Sequence, residues 1–104
     1  MIVTQDPAVV ASLLTGQQGS LVAYPTETFY GLGARIADQG ALERLLRVKG
    51  WDGDNGMIVL VSDMKMAFSL ALISDPWGLI LEKCWPGPVS VVLQAIEDVN
   101  PIIA

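Results

Sequence analysis

Apolar residues fill 52% of this 104-residue chain, yet they come only in short runs closed by glycine, proline or aspartate. That punctuation limits what the chain can become. No run approaches the roughly 18 uninterrupted apolar residues of a membrane-spanning helix. The start, "MIVTQDPAVV", lacks the basic segment of a secretory leader. The expectation is one domain over residues 1–104, placed in the cytoplasm and without membrane contact.

The runs alternate in kind. "DPAVVASLLTG" opens with Asp6 as a helix cap and Pro7 in the first turn, and Val9, Val10, Leu13 and Leu14 recur at helical spacing. "SLVAYP" reads as a strand ended by proline. "YGLGARI" reads as a second strand, with glycines where something approaches the backbone closely. "DQGALERLLRVKG" predicts a helix capped by Asp38 and ended by Gly50, with Ala41, Leu42, Leu45, Leu46 and Val48 as its buried stripe. "MIVLVS" predicts a strand buried on both faces. "DMKMAFSLALI" and "DPWGLILEKCW" predict two further helices with Asp63 and Asp75 as caps, and "VSVVLQAI" a last strand. This order gives the α/β class, with a twisted mixed sheet and helices packed on it.

Six basic residues stand against eleven acidic ones, a net charge of −5. No basic nucleic-acid footprint is visible over the whole chain, although Arg35, Arg44, Arg47 and Lys49 hold four of the six positive charges. A single cysteine, Cys84, allows no internal disulfide and is read as a buried, inert thiol. There is no histidine, which removes the commonest general base and the usual metal ligand.

Among motifs, "DGDNG" from Asp52 fails as a calcium loop, because the fifth and sixth positions hold Gly56 and Met57. It reads as a polar turn. No P-loop is present, and "GLGARI" lacks the third glycine of a dinucleotide fingerprint. "KCWPGPVS" reads as a rigid turn into the last strand.

"PTETFYGLG" carries more. Pro25 ends a buried strand, so Thr26, Glu27 and Thr28 emerge at its carboxyl end, where ligands bind in open α/β sheets. Thr26, Thr28 and Tyr30 alternate, so an extended chain turns their hydroxyls to one side. Lys49 can supply the countercharge for a phosphate or carboxylate. Two readings stay open: a shelf for a small polar ligand, or threonines that only satisfy loop backbone groups.

"YPTETFYGLGA", a helix ending in "RVKG", "MIVLVSD" and "KCWPGPVSVVL" together resemble, in order and spacing, the N-terminal half of the YrdC/Sua5 family. The resemblance covers Gly19 to Leu93. It implies a YrdC-like fold around a concave, positively charged cavity. It implies an activity that makes L-threonylcarbamoyladenylate from L-threonine, bicarbonate and ATP with Mg2+, a nucleotidyl transfer serving tRNA N6-threonylcarbamoyladenosine modification. Double-stranded RNA or tRNA would be partners. Thr26, Thr28 and Tyr30 would line the threonine and nucleotide cavity, and Lys49 would match the lysine of a K-x-R signature facing phosphates. Ser90 stands where many members have threonine after "WPGP".

The departures are specific. Trp51 occupies the place of the K-x-R arginine and can neither carry charge nor hold a phosphate bidentately. Asp52 and Asp54 add negative charge beside it, and Asn55 and Gly56 replace the usual basic residue and proline. The family's second half, with its Ser-x-Asn signature, lies beyond this chain. The resemblance therefore implies a truncated domain, impaired or inactive as a synthase alone. The alternatives are a non-catalytic RNA- or nucleotide-binding module, or a structural subunit whose cavity a homo-oligomer completes.

Overall fold

The computed structural model describes residues 1–51 and 56–104. The polar turn expected from Asp52, with Asp54 and Asn55, lies outside the described residues. The chain divides into two compact units, Met1–Asn55 and Gly56–Ala104.

The first unit begins with helix α1, Pro7–Gly16. The Asp6 carboxylate accepts from the Ala8 N–H at 3.0 Å, and Pro7 sits in the first turn, where its missing N–H leaves nothing unpaired. Val10, Leu13 and Leu14 are half-buried. Strands β1, Leu21–Tyr24, and β2, Gly31–Ala34, then pair antiparallel. Leu21 faces Ala34 and Tyr24 faces Gly31. Helix α2, Gln39–Lys49, supplies the core of the unit through Ala41, Leu42 and Leu45. Val48 was expected in that stripe and is 61% exposed. It belongs to the last turn of α2, past the packed part of the helix.

The glycines of β2 explain themselves. A side chain at Gly33 would place its Cβ 2.9 Å from Tyr24 Cε1, and one at Gly31 would stand 3.2 Å from Tyr24 Cζ. Tyr24 therefore lies across the pleat on two residues that lack a Cβ, as cross-strand and diagonal neighbours do.

Asp38 and Arg44 tie α2 to the start of β1. Asp38 caps α2 by accepting from the Ala41 N–H at 3.0 Å and also accepts from the Gly19 N–H at 2.8 Å. Arg44 Nη1 donates to the Gly19 carbonyl at 3.0 Å. Both backbone groups of Gly19 are thus held by side chains of α2 and its N-cap. The N–H donors of Ala41 and Gly19, with Arg35 nearby, hold the Asp38 carboxyl below the usual carboxylate range.

In the second unit, residues 57–61 form no strand. Their exposure alternates: Ile58 is 82% and Leu60 69% exposed, while Met57, Val59 and Val61 are half-buried. The expected burial on both faces is therefore replaced by burial on one. Helix α3 is short, Met64–Phe68, capped by the Asp63 carboxylate on the Met66 N–H at 2.8 Å. Ser69 ends it. Its hydroxyl donates to the Met66 carbonyl at 2.6 Å, and its N–H is shared between Lys65 and Met66, which diverts the backbone from helix.

The residues expected to continue that helix pair instead with the end of "VSVVLQAI". Ala71 bridges Ala95 antiparallel, the Leu72 N–H donates to Gln94 at 2.8 Å, and the Ile96 N–H donates to Leu70 at 3.0 Å. Helix α4, Trp77–Cys84, starts without the expected Asp75 cap. The Ser74 carbonyl accepts from Trp77 and Gly78 instead. Ala67, Leu81 and Ile103 form the core of this unit, and the Met57 N–H donates to the Ile103 carbonyl at 2.9 Å.

The class is α/β as expected. Among the described residues the sheet is the antiparallel β1–β2 pair, with the Ala71–Ala95 bridge separate. No helix of the described residues is long and apolar enough to cross a membrane.

Candidate functional site

Residues 25–30 connect β1 to β2, so the "PTETFY" segment leaves directly from the carboxyl end of β1. It bends rather than running extended. Thr26 is the reason. Its hydroxyl donates to the Phe29 carbonyl and accepts from the Thr28 N–H at 3.3 Å, a side-chain-closed turn. The Thr26 and Thr28 oxygens stand 3.4 Å apart. A hydroxyl has one proton. Thr26 has spent its own on Phe29, so Thr28 is the donor between the two.

The open choice between ligand shelf and loop satisfaction thus divides by residue. Thr26 serves the loop. Thr28 points its proton inward and keeps lone pairs to accept from outside. Phe29 and Tyr30 are 79% and 73% exposed, and Glu27 is exposed beside them. The loop presents two aromatic rings, a phenol, a carboxylate and a threonine acceptor. That set suits a ligand with an ammonium or hydroxyl and a flat ring. Glu27 was placed at the strand end from the sequence but given no role, and Phe29 was not singled out. Their signal lies in the same motif, as its one carboxylate and its one phenylalanine.

Lys49 closes α2, exposed, with its Nζ 4.5 Å from the centroid of the Trp51 ring. Ser90 lies in the second unit, exposed, after the "WPGP" turn. That turn is closed by Trp85, whose indole Nε1 donates to the Val89 carbonyl at 2.8 Å. Gly87 is required there, since a Cβ would stand 2.5 Å from the Cys84 carbonyl oxygen. The rigid-turn reading fits this geometry. Cys84 itself is half-buried rather than buried.

Elsewhere in the first unit a cleft of about 320 Å³ is lined by Leu14, Thr15, Gln18, Arg35, Asp38 and Gln39 among others. It contains none of the site residues Thr26, Thr28, Tyr30, Lys49 and Ser90 expected from the sequence, and its carboxylate is already engaged as the α2 cap. No group of three or more His, Cys, Asp or Glu that could hold a metal gathers among the described residues.

A family model described as "Telomere recombination" (Sua5_yciO_yrdC) matches residues 15–104. The threonylcarbamoyl-AMP synthase of Pyrococcus abyssi is 38% identical over 88 residues, 84% of this chain and 26% of that protein. The threonylcarbamoyl-AMP synthase of Thiobacillus denitrificans is 36% identical over 86 residues, 82% of this chain and 46% of that protein. Among solved structures, P. abyssi Sua5 complexed with L-threonine superposes with a TM-score of 0.80 at 35% identity, over 91% of this chain and 28% of its own. The chain thus spans about a quarter to a half of the length of these relatives.

Proposed function

The chain belongs to the Sua5/YciO/YrdC family, and from that membership we propose that it carries part of the substrate-binding wall of a threonylcarbamoyl-AMP synthase site. It acts in tRNA threonylcarbamoyladenosine formation and is impaired or inactive as a synthase alone. The observation that carries this reading is the "PTETFYGLG" loop, retained on its β1–β2 hairpin within a region that superposes on an L-threonine-bound relative.

The reaction joins the carboxylate of a threonine-derived carbamate to the α-phosphorus of ATP, and pyrophosphate leaves. Two anions must approach, so the work of the protein is positioning and charge neutralisation. Thr28 accepts from the amino acid, Tyr30 lines the same pocket, and Thr26 holds the loop that presents them. Lys49 neutralises phosphate; Ser90, in the second unit, carries a hydroxyl where many family members have threonine. Among the described residues no carboxylate cluster forms a magnesium cage. The ion belongs to ATP, as the magnesium complex of the substrate.

Impairment follows from the Arg-to-Trp departure at Trp51. A hydrogen bond to a charged group contributes about 1.5–3 kcal/mol, so one missing phosphate cation weakens nucleotide binding roughly 10- to 100-fold. The net charge of −5 argues against tight RNA binding.

Calorimetric titration with Mg·ATP, with and without L-threonine, tests the reading. Weak binding that threonine strengthens and Lys49→Ala removes is the expected result. Absence of heat at millimolar ligand overturns it.

A further inference from the structure

Trp51 stands where the family resemblance calls for a second cation, and it does not stand idle. The segment "KGW" is a helix terminus with a defined geometry. Gly50 adopts the left-handed conformation, φ 68°. Its N–H donates to the Arg47 carbonyl at 3.2 Å, and the Trp51 N–H reaches back to the Leu46 carbonyl at 3.1 Å. This terminus folds the residue after the glycine back on the last turn of the helix. The residue so folded is an indole, and the last helical residue is Lys49. The ammonium lies 4.5 Å from the ring centroid, within the reach of a cation–π contact. Trp51 remains 43% exposed, so the seated ammonium stays at the surface.

We propose that Trp51 is a positioning residue: its indole seats the Lys49 ammonium at the end of α2, so that the anion site of this chain works as one preorganised cation on an aromatic base. This rests on the assignment of Lys49 to phosphate given above. An unseated lysine samples many rotamers and must order when it binds an anion. Seating it beforehand removes part of that cost. A cation–π contact at an exposed site amounts to about two- to fivefold in an equilibrium constant. That is the size of the gain expected from Trp51, and it is less than a second phosphate-binding cation would add.

The test uses the whole chain and two readouts. In proton NMR, the Lys49 ε-methylene resonances shift upfield under the Trp51 ring current. The shift persists, reduced, in Trp51→Phe and vanishes in Trp51→Leu. Gly50→Ala strains the left-handed cap and moves the indole without removing it, so the shift falls there too, and a folding defect in one variant does not decide the matter. In Mg·ATP titrations Trp51→Leu weakens binding about two- to fivefold, Trp51→Phe restores most of it, and Trp51→Arg strengthens binding beyond the parent. If Lys49→Ala weakens binding and Trp51→Leu does not, the seat is refuted while the phosphate role of Lys49 stands. If Lys49→Ala changes nothing, that role falls and the seat loses its purpose. An absent upfield shift in the parent chain refutes the seat directly.

Discussion

Gly33→Ala probes the β1–β2 hairpin that carries the candidate loop. The new methyl carbon would stand 2.9 Å from Tyr24 Cε1, well inside the 3.5–4.0 Å at which carbon atoms attract. The obstacle is an aromatic ring, which moves only as a rigid body. Overpacking of this kind costs about 1–3 kcal/mol. Replacing a strand glycine by alanine also returns about 0.5–1 kcal/mol by restricting the unfolded chain. The net effect in the parent chain is a destabilisation of up to about 2.5 kcal/mol. In a Tyr24→Ala background the ring is gone and only the return remains, so Gly33→Ala becomes stabilising by about 0.5–1 kcal/mol. Urea unfolding of the four chains measures the cycle through the midpoint at constant slope. A reversal of sign between backgrounds is the expected result. Equal effects of Gly33→Ala with and without Tyr24 would refute the account of why β2 is glycine-rich. Gly16→Ala is the control: nothing lies within 4 Å of its Cβ position, so it stabilises in either background.

Three further outcomes are expected. Leu81→Ala empties a fully buried position in the second unit and destabilises by about 2–5 kcal/mol in the same urea assay. Thr26→Val removes the hydroxyl that closes the loop and weakens both L-threonine and Mg·ATP in calorimetry, whereas Thr28→Val weakens L-threonine selectively; equal effects on both ligands from both variants would refute the division of roles. The Asp38 carboxyl is held below its ordinary pKa in the folded state, so its contribution is fully present above about pH 3.9 and is lost as pH falls through the lower folded value. Thermal unfolding between pH 6 and pH 2 should therefore show the advantage of the parent over Asp38→Asn shrinking below about pH 4, and a gap independent of pH would refute it.

What the sequence revealed of the fold was local chemistry. Asp6 with Pro7, Asp38, Asp63, Gly50 and the "WPGP" turn act within a few residues of themselves, and the structure has each doing so. Asp75 shows the limit. It has the same Asp-Pro signature as Asp6, yet the Ser74 carbonyl takes the first donors of α4. Strand expectations depended on partners that periodicity does not name. "MIVLVS" is apolar at every position but its last, so its one-sided exposure had no signal in the sequence. Ser69 did carry one, since a hydroxyl after an apolar helical run competes for the carbonyls that would extend it.

The candidate site divides along the same line. That "PTETFY" forms a polar projection at a strand end was legible, because Pro25 and the flanking apolar run require it. Which hydroxyl the loop consumes was not, because alternation assumes an extended chain and Thr26 bends it. The consequence reaches the chemistry. With Thr26 committed, the loop offers one threonine acceptor and one phenol where three hydroxyls had been counted. With Trp51 in the place of an arginine, the end of α2 offers one seated cation where the family signature has two. Both reductions lower affinity by removing contacts, and both leave the remaining group held by a neighbour rather than free to wander. A site thinned in this way discriminates through placement more than through number. Lys49→Arg should therefore keep nucleotide binding only while the seat is present: the planar guanidinium stacks its face on Trp51 and leaves its in-plane N–H donors for phosphate, whereas the same arginine in a Trp51→Leu background is unseated and binds Mg·ATP more weakly. Equal Mg·ATP binding by Lys49→Arg with and without Trp51 would show that charge alone, and not its seat, limits the site.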